Sequence, residues 1–201
     1  RQLQPLPAHP SVNYTEIYAT IRRTSTFSLH RVTYTVPSRL IGAKILIRAY
    51  DAKLELYLGT NKLLDLERLY TPAGQSARSV NYHHIIDALN KKPLAFRHSR
   101  LKDDILPNVH YKQIWSYLDQ ELPADEACYY LVRLLYLAHK NNCERQLANF
   151  VLAGISERQL PSIRSCEDRF SNLRITTPNI TIAQHSLADY SQLLGGNHYA
   201  Q

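Results

Sequence analysis

Apolar and polar residues alternate with period two along the first third of the chain, and the period then lengthens. In SLHRVTYTV, residues 28–36, Val32, Tyr34 and Val36 share one face while Arg31, Thr33 and Thr35 share the other. Pro37 ends that run, because it has no N–H to give a ladder. In AKILIRAY, residues 43–50, Ile45, Ile47 and Ala49 oppose Lys44, Leu46, Arg48 and Tyr50; in KLELYL, residues 53–58, Leu54, Leu56 and Leu58 oppose Lys53, Glu55 and Tyr57. Gly59-Thr60-Asn61 supplies turn chemistry before KLLDLERLY. Short strands joined by tight turns predict a small antiparallel β-barrel over residues 27–70, closed or covered because open edges invite aggregation.

Residues 71–80 read as a loop. Beyond it the period becomes 3.6: Tyr82, Ile85, Ile86 and Leu89 form one stripe, and Tyr111, Ile114, Trp115 and Leu118 a second. Pro123 and Asp125 open a third, with Ala127, Leu131, Leu134, Leu135 and Ala138 inward and Asn141-Asn142 as its break. Leu147, Phe150, Val151 and Ile155 make a fourth before Pro161. The expected architecture is α+β: a small antiparallel barrel, then an α-helical domain over residues 81–174, then an extended C-terminal tail over 175–201. In that tail SLADYSQLL is amphipathic, with Leu187, Tyr190, Leu193 and Leu194 as candidate anchors for a partner's apolar groove.

Residues 1–26, with Pro5, Pro7 and Pro10 near the start, resemble a linker, and the absence of methionine suggests a piece of a longer protein. No apolar run approaches the roughly 18–20 residues of a membrane span, and no secretory signal opens the chain, so a soluble cytoplasmic protein is expected. Cys128, Cys143 and Cys166 lack CxxC spacing, and the histidines lack HxxxH, so neither a disulfide framework nor a zinc site is expected.

Charge is unevenly placed. Residues 1–70 hold ten Lys/Arg against five Asp/Glu and residues 71–105 six against three, whereas residues 106–175 are balanced at eight each. A basic half beside a balanced half points to a polyanion, nucleic acid before membrane surface. The candidate phosphate-binding residues are Arg22, Arg23, Arg31, Lys44 and Arg48 on or beside the strands, and Lys91, Lys92, Arg97, His98, Arg100 and Lys102 in NKKPLAFRHSRLK. No GxSxG, P-loop, HExxH or GxGxxG occurs, and no nucleophile is flanked by a base, so no catalytic residue is assigned.

Taken in order, YTVPSRLIG, KILIRAYDAKLELYLG, VNYHHIIDALNKKPLAF and SLADYSQLL resemble the C-terminal part of IstA-type transposases, whose genes travel with an IstB-type AAA+ ATPase. The likeness spans residues 27–195. It implies a β-barrel similar to that of the Mu transposase followed by a helical region, placed after an RNase H-like core whose Asp-Asp-Glu triad holds divalent metal. No residue here inherits that triad, so Asp51, Asp65, Asp87, Asp103 and Asp104 are not metal ligands and no cofactor is expected in this segment. The implied partners are transposon-end DNA, an IstB-like AAA+ ATPase and other transposase subunits, in the bacterial cytoplasm at the nucleoid and without a membrane. The alternative is a module that assembles the transposase without touching DNA.

Overall fold

The computed structural model describes residues 13–170, in which strands come first and helices follow, an α+β arrangement. The alternating runs become β1 (Thr15–Thr20), β2 (Thr26–Leu29), β3 (Val32–Thr35), β4 (Lys44–Ala49), β5 (Lys53–Leu58) and β6 (Asn61–Glu67), followed by the short β7 (Ala77–Ser79). Their ladders make two sheets. One is β1-β4-β5-β6, antiparallel throughout; the other is β2-β3-β7, in which β3 and β7 run parallel. The inner faces share one core built from Phe27, Val32, Tyr34, Ile45, Ile47, Leu54 and Leu56, all essentially removed from solvent. Each such aliphatic side chain contributes about 1.5–3 kcal/mol relative to exposure. Phe27 stacks on Tyr34 with ring centroids 5.3 Å apart and planes 15° from parallel.

Three features differ from the sequence expectation. β1 and the start of β2 lie within residues 1–26, expected as linker. β1 is an edge strand whose inward Ile17 and Ala19 remain partly exposed, so its alternation is shallow. β7 lies in the expected loop 71–80, is only three residues long, and pairs in parallel with a distant strand, which leaves no periodic signal. Leu58, expected inward, is 41% exposed because a bulge between Leu56 and Tyr57 shifts the register.

The helical region holds α1 (Ile86–Lys91), α2 (Lys102–Ile105), α3 (Val109–Glu121), α4 (Ala124–Asn141), α5 (Glu144–Ser156) and α6 (Ile163–Phe170). α4 is central, packing against α1, α3, α5 and α6, and buries Ala127, Leu131, Leu134, Leu135 and Ala138 as its apolar spacing predicts. Asp125 and Glu126 in its first turn and Lys140 in its last complement the helix dipole. Asn142 ends it in the left-handed region at φ 48°, a conformation asparagine tolerates. Asn108 caps α3 by accepting from the Tyr111 N–H at 3.2 Å. No helix among the described residues is long and apolar enough to cross a membrane.

A polar tie joins the sheets to the helices. Thr35, at the end of β3 and buried, accepts the Asn81 N–H on Oγ1 at 2.8 Å, and the His84 Nδ1 lies 2.8 Å from its carbonyl oxygen. Ser38 Oγ donates to the His84 carbonyl at 3.2 Å. Two surface clefts open along this seam.

Candidate nucleic-acid interface

The first cleft begins with a tight turn. Between β1 and β2 the Ser25 N–H closes onto the Arg22 carbonyl at 3.0 Å, and the Arg22 N–H bonds the Thr26 carbonyl at 2.8 Å. Ser25 itself takes φ 57° and is buried, so Arg22, Arg23 and Thr24 are carried outward at the tip. Opposite them, a turn of 3-10 helix over Pro93–Phe96 leads into His98, Ser99 and Arg100; the Ser99 hydroxyl accepts the Leu101 N–H at 3.1 Å and holds that loop in place. Arg78, on β7, bridges the two units, its guanidinium donating to the Arg100 carbonyl and pairing with Asp104, both at 3.1 Å.

The result is a cleft of about 600 Å³ lined by Arg22, Arg23, Arg78 and Arg100 with His98, and by the hydroxyl residues Thr24, Thr26, Thr33 and Ser99. Among the described residues no ion pair includes Arg22, Arg23 or Arg100, so only the Arg78 charge is neutralised internally. Guanidinium and hydroxyl groups together are the donors that grip phosphate oxygens.

The other expected cations fare differently. Lys44 and Arg48 do point outward from β4, but their face is not a free basic surface. Arg48 pairs with Glu16 at 3.1 Å and lies between the rings of Tyr14 and Tyr57, while Lys44 lies over Tyr18. Glu55, on the neighbouring strand, receives Lys53 at 2.7 Å, Lys62 at 3.0 Å and the Tyr57 hydroxyl at 2.8 Å. Those donors hold its carboxyl at about 2, well below the usual carboxylate range. Across the sheet the register aligns Glu16, Arg48, Glu55 and Asp65 in one row, in which Arg48 stands between two acids and Lys62 bridges Glu55 and Asp65. The sequence shows the cations of this face but not that cross-strand acids answer them.

The NKKPLAFRHSRLK cluster is divided. Arg100 and His98 enter the arginine cleft, Lys91 and Lys92 enter a second cleft, and Arg97 pairs with Asp119 at 2.6 Å beside the Trp115 ring. Lys102 opens α2, half-buried, and Arg31 sits on the β2–β3 turn at φ 67°. Leu187, Tyr190, Leu193 and Leu194 lie outside the described residues.

The second cleft, of about 710 Å³, is lined by Arg39, Lys91 and Lys92, by Ser38 and Asp87, and by His83, His84 and His139. His83 and His139 meet through their Nδ1 atoms at 2.7 Å, and His83 Nε2 lies 3.2 Å from Glu144. Burial, and then the neighbouring His83 charge, hold His139 below the ordinary imidazole range; burial does the same to His84. Neither Arg39, Arg78 nor the histidine pair stood out in the sequence, because each joins its cleft through contacts between distant segments.

The three cysteines are free and buried, and burial pushes their thiols up, which fits packing rather than nucleophilic chemistry. Among the described residues no group of three or more His, Cys, Asp or Glu is arranged to hold a metal ion.

Comparison with known proteins finds one informative relative. The chain is similar to the uncharacterized protein y4jA/y4nE/y4sE of Sinorhizobium fredii (strain NBRC 101917 / NGR234), 36% identical over 194 residues. The alignment covers 96% of this chain and 38% of that protein, so the chain spans less than two fifths of the relative's length. No family model matches, and no solved structure matches.

Proposed function

We propose that this chain is a noncatalytic, DNA-contacting part of a larger transposase, in which the arginine cleft between the sheets and the helical region grips the DNA backbone. The observation that carries the reading is the convergence of Arg22, Arg23 and Arg100, which the sequence places in two separate basic segments, onto one cleft without carboxylate partners among the described residues. The resemblance to IstA-type transposases supplies the biological setting: transposon-end DNA as ligand, an IstB-like AAA+ ATPase and other transposase subunits as partners, and the bacterial nucleoid as location. The long relative agrees with a part that works beside further domains. Hydroxyl and guanidinium donors position a duplex by its phosphates and carry little sequence information.

The test is duplex binding against salt. Replacing Arg22, Arg23 and Arg100 with alanine removes up to three phosphate contacts, and the slope of log affinity on log salt falls by about 0.9 for each. Replacing Arg48 alone leaves the slope nearly unchanged, since it is already paired with Glu16. An unchanged slope in the arginine variant sinks the proposal.

A second reading, an assembly module, is favoured by the outer face of the β1-β4-β5-β6 sheet. Tyr18 is 64% exposed there, beside Tyr14, Tyr57 and Arg48, and tyrosine and arginine are the residues that interface cores favour. Self-association of the chain that Tyr18→Ser abolishes would support it; a monomer at all concentrations would count against it.

A further inference from the structure

We infer that the second cleft, bounded by Arg39, Lys91 and Lys92, is a DNA-phosphate site whose occupancy is coupled to protonation of the His83–His139 pair. The inference rests on the DNA-contact reading and deepens it by adding a proton to the binding reaction.

Two imidazole nitrogens 2.7 Å apart share one proton. Without it, lone pair faces lone pair; with two, N–H faces N–H. His83 Nε2 lies 3.2 Å from Glu144 Oε1, which the Tyr82 hydroxyl also reaches, so the His83 Nε2–H donates to that carboxylate. Nδ1 of His83 is then fixed in the hydrogen bond to His139. A second proton therefore goes not between the rings but to His139 Nε2, which this arrangement leaves free, and it adds a positive charge at the wall of the cleft.

The surrounding charges decide when that happens. Glu144 on α5 and Asp87 on α1 favour the second proton, and Lys140 on α4 opposes it. Arg39, Lys91 and Lys92, exposed in the same cleft, oppose it too while the cleft is empty of anion. None of these three cations belongs to an ion pair among the described residues. A phosphate oxyanion lodged among them reverses the balance: it offsets their charge and gives the newly protonated ring an acceptor. By linkage, whatever makes the second proton easier to bind is itself bound more tightly when that proton is present. A phosphodiester keeps its single charge across the histidine range, so any proton coupling of DNA affinity there belongs to the protein. The DNA backbone is favoured over a small anion because the cleft is open, its cations are exposed, and it lies along the same seam as the arginine cleft.

The experiment measures duplex affinity of the full chain between pH 5.5 and 8.0 at constant ionic strength. It compares the wild type with His139→Gln, His83→Gln, Lys91→Ala/Lys92→Ala and His98→Asn, each confirmed folded by circular dichroism. Wild-type affinity is expected to rise about 3- to 10-fold from pH 7.5 to 5.5, the upper figure corresponding to uptake of about one proton over part of that range. His98→Asn, which alters the arginine cleft, keeps the rise; the lysine variant and both variants of the pair lose it. Affinity independent of pH, or a rise retained in His139→Gln and His83→Gln, overturns the inference while leaving the arginine-cleft reading intact. Absence of salt-dependent DNA binding in the wild type removes both. A final arm follows the His83 and His139 ring resonances: saturation by inorganic phosphate without displacement by duplex would assign the cleft to a small anion and overturn the DNA assignment.

Discussion

The seam between sheets and helices can be tested at a single atom. Thr35 Oγ1 accepts the Asn81 N–H at 2.8 Å inside a position only 1% exposed, and it also lies 3.3 Å from His84 Nδ1. Thr35→Val keeps the shape of the side chain and deletes the acceptor, leaving a donor at the seam without its partner. Asn81 is itself exposed, so the loss is that of a part-buried hydrogen bond, about 0.5–1.5 kcal/mol. For a domain of this size each kcal/mol lowers the melting temperature by about 2–4 °C, so a drop of about 1–6 °C is expected by thermal denaturation. Thr35→Ser retains the oxygen and loses one methyl group, about 0.8 kcal/mol if that methyl is fully buried, and serves as the control. Both clefts draw residues from both sides of this seam, so the valine variant should also bind duplex DNA more weakly below its melting temperature. Equal stability of the valine and serine variants would refute the reasoning, since it would mean that the Asn81 N–H does not depend on Thr35.

Three further outcomes follow from local geometry. Gly154→Ala places a Cβ 2.6 Å from the Gln159 carbonyl oxygen and 2.7 Å from the Pro161 ring, forcing the segment after α5 to move; a loss of about 1–3 kcal/mol in urea denaturation is expected, and a neutral substitution would contradict it. His30 and Arg31 both adopt positive φ, at 46° and 67°, so Arg31→Gly should relieve left-handed strain and raise stability by about 0.5–1 kcal/mol, readable as a higher denaturation midpoint. Glu55 has its carboxyl held at about 2 by Lys53, Lys62 and Tyr57. Its folded value lies below the unfolded one near 4.3, so its stabilisation is present above about pH 4.5 and is lost as pH falls toward 2. Glu55→Gln should therefore flatten the pH dependence of the denaturation midpoint across that interval, and identical profiles would dispose of the assignment.

The parts of this fold that were legible in the sequence are those with strong periodicity. Val32, Tyr34 and Val36, Ile45 and Ile47, and the stripes of α3 and α4 alternate at the spacing of the element they form, and each is buried. β1 and β7 escaped because one is a shallow edge strand and the other is fixed by a parallel pairing across the chain. The candidate site was half legible. Composition identified Arg22, Arg23 and Arg100 as cations, but not that they converge, because their meeting depends on the β3–β7 pairing and the Arg78 bridge. Lys44 and Arg48 looked equally basic, and only the strand register reveals Glu16 and Glu55 beside Arg48.

The central claim is that DNA lies in the arginine cleft, and hydrogen–deuterium exchange of the full chain with and without duplex DNA addresses it most directly. Protection is predicted in the turn carrying Arg22 to Thr26 and in the loop from Arg97 to Leu101, with the outer face of β4 and β5 unchanged. Protection confined to β1, β4 and β5, or none at either cleft, would contradict the account.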